Sequence, residues 1–128
     1  MFSKYFTLEE ANNHLPLIKK VVADILENNT KIKKLIGNTR LTDKAELIEE
    51  CERRIVEFVN ELEGLGCFYE TTTLGLGVVE FPGFLSEQCV LWSWRSDEES
   101  VELYHLLEED WQQRKSIPQV VSNKIQGL

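Results

Sequence analysis

The stretch Thr7–Gly37, TLEEANNHLPLIKKVVADILENNTKIKKLIG, decides the fold. Leu8, Ala11, Leu15, Ile18, Val22, Ile25, Asn29, Ile32 and Ile36 follow one another in alternating steps of three and four. That spacing lines one face of an α-helix and suits packing at a shallow angle. Thr7-Leu8-Glu9-Glu10 opens it as a capping box, the Thr7 hydroxyl accepting from a first-turn amide while Glu10 reaches back. Pro16 has no N–H to give and its ring crowds the preceding turn, so it fits the first turn of a new helix better than an interior. The sequence therefore predicts a short helix near 8–14, a bend, and a long helix from about Pro16 to Ile36. Asn29 is the polar member of the seam, either a register device or, more plainly, an exposed residue.

Gly37-Asn38 ends this run, and Thr42 or Asp43 can cap the next. Ile48, Cys51, Ile55, Phe58, Leu62 and Leu65 repeat the same stepping up to Gly64-Leu65-Gly66, where glycine supplies a left-handed cap. Two long helices with a short polar connection pack as an antiparallel hairpin.

Beyond Gly66 the texture changes. Cys67–Glu70, Leu74–Phe81 and Gln88–Trp94 read as strands, with Pro82-Gly83 as the turn signal between the last two. Period two puts Val90, Trp92 and Trp94 on one face. Glu99 to Arg114 reads as one or two short helical turns, and Ser116 to Leu128 as a weakly patterned tail in which Val120, Val121 and Ile125 are the docking candidates. The predicted class is α+β: a long antiparallel helical hairpin packed with a small antiparallel β-sheet and short C-terminal helical turns. At 128 residues the chain reads as one domain, 1–128, with a helical part to 66 and a strand-rich part over 67–115.

No apolar run approaches the roughly 18 residues of a membrane span, and the N-terminus lacks the apolar core of a signal peptide, which points to the cytoplasm. A formal net charge of −8 argues against nucleic acid and anionic membranes as partners. The charge is segregated. Asp97 to Asp110 carries seven acids and no Lys or Arg, whereas Lys31 to Lys44 carries five bases against Asp43 alone. Solvated faces explain this most plainly; a basic tip meeting an acidic patch on a second copy is the sharper alternative. Cys51, Cys67 and Cys89 are odd in number and form no Cys-x-x-Cys pair, so they read as small buried thiols.

Gly75-Leu76-Gly77 lacks the third glycine, the helix and the Lys-Ser or Lys-Thr of a phosphate loop, and reads instead as a bulge or close backbone approach. Asn28-Asn29-Thr30 is a chance glycosylation match inside a helix. The two histidines, His14 and His105, exclude a three-histidine metal site within one chain. A weak metal candidate remains in His105 with Glu98 or Glu102, since Glu102 and His105 would share a face if that stretch were helical. Trp94, Arg95, Glu98, His105 and Arg114 form the candidate ligand site, with Trp94 as wall and Arg114 as anion clamp. In the competing reading, Trp94 and Trp111 are core and the charges tie the sheet to the last helical turn.

Three anchors carry a resemblance: Phe6-Thr7-Leu8-Glu9-Glu10-Ala11-Asn12 with Leu15-Pro16; Leu65-Gly66 and Gly75-Leu76 leading to Phe81-Pro82; and Trp94-Arg95 through Glu98 to His105 and Arg114. With them the chain resembles a prokaryotic family known as domain of unknown function 2203. Ser93, Asp97, Tyr104 and Asp110 stand where that family usually has Cys, Gly, Trp and Gly. The resemblance implies a compact bacterial protein of helices and strands. It brings no activity or cofactor, and it singles out Glu98, His105 and Arg114 for test.

No nucleophile and base are paired in the sequence, and no cofactor is implied. The leading expectation is a non-enzymatic interaction or regulatory protein acting as a homodimer, with another protein as a possible partner. The alternative is a small-ligand or metal-binding protein, with an enzyme as one form of it, centred on Glu98, His105 and Arg114.

Overall fold

The computed structural model describes residues 2–40 and 42–118. Two helices, α1 (Leu8–Gly37) and α2 (Lys44–Gly64), form the hairpin. Among the described residues five strands follow: β1 (Phe68–Thr71), β2 (Gly77–Leu85), β3 (Gln88–Arg95), β4 (Leu103–Leu106) and β5 (Lys115–Ser116). They form an antiparallel sheet in sequence order, with β1 and β5 at its edges. A helical hairpin on a small antiparallel sheet is the α+β arrangement the sequence predicts.

The capping box forms as read: Glu10 N donates to Thr7 Oγ1 at 3.0 Å and Thr7 N to Glu10 Oε1 at 2.9 Å. The bend at Pro16 does not form, and α1 runs through it unbroken. Pro16 leaves the Asn12 carbonyl without its intrahelical donor, and a proline inside a helix costs about 3 kcal/mol. Against that, Leu8, Ala11, Leu15 and Ile18 flank it and are all buried. Burial contributes about 1.5–3 kcal/mol for each large aliphatic side chain, which a bend would forfeit. The buried polar residue of the seam is Asn28, while Asn29 is half-buried.

The core lies between α1 and one face of the sheet. Register places Val79 opposite Trp94, and Phe81 opposite Trp92, which in turn faces Tyr104. These side chains pack with Leu15, Ile18, Val22 and Ile25. Val90, Trp92 and Trp94 are all buried, as the alternation requires. Gly77 is a close approach: a Cβ there would lie 2.7 Å from Val22 Cγ1. Gly66, at φ +97°, supplies the left-handed cap after α2.

Pro82-Gly83 is not a turn. Both residues lie inside β2, and the reversal falls at Ser86-Glu87, with Ser86 at φ 58°. The Pro82 carbonyl accepts from Phe6 N at 2.7 Å, on the side of β2 away from β3. A strand residue points its N–H and C=O the same way, so the missing N–H of Pro82 costs the β2–β3 ladder nothing. The stretch from Glu99 to Arg114 also differs from a pair of helical turns: it holds β4 and a single 3-10 turn, Trp111–Gln113. Asp110 caps that turn by accepting from Gln112 N at 2.8 Å. The docking candidates Val120, Val121 and Ile125 lie outside the described residues.

Candidate functional site

The five candidate residues fall into two groups. Trp94 is core, 1% exposed, and its Nε1 donates to the Glu98 carbonyl at 2.8 Å. Glu98 Oε1 accepts from Arg95 N at 2.8 Å and from Arg114 Nη1 at 2.9 Å. Arg95 pairs with Asp97 through Nε at 2.6 Å and Nη2 at 3.0 Å. The Arg95 and Arg114 guanidinium groups lie 5.9 and 5.8 Å from the Trp111 ring centre, within cation–π range. Each charge in this group is thus met by a neighbour within the chain. Asn12 completes the arrangement from α1, donating to Val101 O at 3.2 Å and accepting from Val101 N at 2.8 Å. The group clasps the β3–β4 loop to α1 and to the last turn.

His105 stands apart from that group. It is 1% exposed on β4, and its Nε2 meets the Glu80 carboxylate. Glu80 pairs in register with Ser93 and His105 with Leu91, so the two side chains meet over β3 on the face turned away from the core. Glu102 does not join them. In extended chain an odd separation puts residues on opposite faces, so Glu102 and His105 diverge where a helix would have aligned them. Among the described residues no three His, Cys, Asp or Glu side chains gather as metal ligands.

The hydrogen bonds of His105 fix the proton count of the pair it makes with Glu80. Its Nδ1 lies 2.7 Å from the Leu106 carbonyl oxygen, which can only accept, so Nδ1 carries hydrogen. Nε2 then either donates as imidazolium to an ionised Glu80, or accepts from a protonated Glu80. Both states have the same net charge and differ by the position of one proton. Burial pushes the Glu80 carboxyl above its ordinary value, His105 pulls it part-way back, and Glu70 on the same face raises it further. Ser93 lies fully buried beside them, its hydroxyl lowering the Glu80 carboxyl slightly though it makes no hydrogen bond of ordinary geometry among the described residues. Serine, histidine and glutamate therefore meet, with the imidazole nitrogens turned to Glu80 and to the Leu106 carbonyl rather than to Ser93.

A cleft of about 530 Å³ beside α1 is lined by Trp94, Glu98 and Lys19, among others, but by neither His105 nor Arg114. What the sheet exposes instead is aromatic. Phe2, Tyr5, Phe68 and Phe84 form a chain of rings with centres 4.9–5.9 Å apart, and Phe68 and Phe84 are 45% and 46% exposed. Sequence reasoning misses this patch because its members come from three separate segments. It also misses Glu80, which lies 25 residues from His105.

A family model described as Uncharacterized conserved protein (DUF2203) matches residues 4–117, and the chain belongs to that family. No curated protein and no solved structure matches it. The anchors Asn12, Trp94, Arg95, Glu98 and Arg114 are the residues of the clasp.

Proposed function

We propose that this chain is a non-enzymatic interaction protein that works as a homodimer, joined through the aromatic end of its sheet. The exposed row of Phe2, Tyr5, Phe68 and Phe84 carries the reading. Aromatic side chains are the commonest interface anchors, and a contiguous exposed cluster of them marks a contact surface. A second copy fits because the patch adjoins β1, which among the described residues is hydrogen-bonded to β2 alone within the sheet. An edge strand can pair antiparallel with its own image across a two-fold axis, and the two aromatic rows would then meet. A chain with net charge −8 repels its own copies, which favours contact over an uncharged patch. Three unpaired cysteines suit a reducing bacterial cytoplasm. The alternative ligand site at Glu98, His105 and Arg114 has less support, since each group is already satisfied by a protein partner.

Sedimentation of the wild type should give twice the chain mass. Phe68→Glu with Phe84→Glu should give the single-chain mass with an unchanged circular dichroism spectrum. A wild type that stays monomeric at high concentration, or a double variant that still dimerises, would sink the proposal.

A further inference from the structure

The hairpin overhangs the core. Thirty helical residues span about 45 Å, and along α1 the fully buried positions end at Asn28. Beyond that point the helices leave a cleft of about 340 Å³ between them, lined by Asn28, Lys31, Lys34, Leu47 and Arg54, among others. Asn28 is 5% exposed, and its Nδ2 donates to the Asp24 carbonyl at 2.8 Å, which fixes the orientation of the amide. Its Oδ1 is buried with no donor among the described residues. A buried acceptor without a donor is rare and costly in a folded protein. The cations Lys31, Lys34 and Arg54 line the cleft with Glu50, which pairs with Arg54 at 3.1 Å, while Lys31 pairs with Glu27 at 3.6 Å. Leu35 and Leu47 supply apolar wall.

We infer that this cleft binds a small organic acid that carries its own N–H or O–H donor, the acid meeting Lys34 and the donor meeting Asn28 Oδ1. The volume lies within the range of small-molecule pockets. An inorganic anion alone would leave the apolar wall unused, and a neutral apolar ligand would leave Oδ1 unpaired. The site lies on the hairpin, away from the aromatic end of the sheet, and stands independently of the dimer.

Anilinonaphthalene sulfonate has an acid, one N–H and an apolar body, and serves as the probe in a fluorescence titration. The full-length wild type should bind it one to one. Asn28→Leu removes the acceptor and Lys34→Glu reverses an exposed charge; each should weaken binding about tenfold. Phe68→Glu with Phe84→Glu should leave binding unchanged, which separates the cleft from the aromatic patch. Absence of binding, affinity within about twofold of wild type in both cleft variants, or loss in the aromatic variant would overturn the inference. Should Asn28→Leu fail to fold, Lys34→Glu decides alone, because its side chain projects into solvent.

Discussion

Trp92 Nε1 donates to the Phe6 carbonyl oxygen at 2.8 Å, reaching across Gly83 to do so. Phe6 N in turn donates to Pro82 O at 2.7 Å. The segment before α1 is thereby fastened to β2 and β3 by a backbone bond and an indole bond side by side. A Cβ on residue 83 would collide with the indole nitrogen and lie 2.5 Å from the Phe6 oxygen.

Gly83→Ala should therefore destabilise the fold by about 3 kcal/mol, the upper range for overpacking a filled site. Trp92→Phe should cost about 1–3 kcal/mol through the unpaired carbonyl alone, with lost packing in addition. Because both act on one contact, the double variant should fall short of the sum. Urea unfolding midpoints measure all three. An unchanged midpoint for Gly83→Ala would contradict the geometry.

The pair on the other face of the sheet predicts an asymmetry. His105→Ala leaves the largely buried Glu80 carboxylate without its donor, and breaking such a pair typically costs about 3–5 kcal/mol. Glu80→Gln keeps the pairing, since the amide donates to Nε2 while Nδ1–H keeps Leu106 O. It should cost no more than about 1 kcal/mol. Equal losses in the two variants would show that the shared proton is not what holds the pair.

The hairpin and its caps are legible in the chain because they depend on neighbours three and four residues apart. The clasp is half legible. Trp94-Arg95 and Glu98 stand close in sequence, but their partners Arg114 and Asn12 are placed by the sheet and by α1. Glu80 reads as an ordinary outward acid on a strand, and nothing local announces His105 as its partner; three strands must first take register. Pro82-Gly83 misleads for a related reason. Its turn chemistry is real, but the proline sits where β2 needs no donor and the glycine makes room for an indole that arrives from the next strand. Pro16 misleads because local helix cost is outweighed by the burial of Leu15 and Ile18 around it.

Burial pushes the Cys67 thiol up to about 12 against a small opposing effect of Lys4, and the residue is fully buried. The thiolate is the reactive form, so Cys67 should resist alkylation in the native protein. Half-buried Cys89 should label first, with Cys67 labelling only on unfolding. Mass spectrometry of peptides after timed iodoacetamide treatment measures the order. Native labelling of Cys67 at the rate of Cys89 would show that the strand edge opens freely.

The sign of the pH effect at Glu80 follows from its raised folded value. The folded protein holds that proton more tightly than the unfolded chain, whose value is near 4.5. The resulting stabilisation is complete below that value and is lost as pH rises through the folded one. Glu10, Asp97 and Glu109 act in the opposite sense. Backbone amides hold Glu10 and Glu109 down, Arg95 holds Asp97 down, and their contribution fades as pH falls. Wild-type stability alone therefore mixes two trends, but the three low carboxylates are shared with Glu80→Gln and cancel in a difference. Measured by urea unfolding from pH 4 upward, the stability of Glu80→Gln relative to wild type should rise with pH, starting near the unfolded value of 4.5. It should level off once Glu80 has ionised in both folded and unfolded wild type. A difference that falls with pH would mean that Glu80 is an anchored anion rather than one holder of a shared proton.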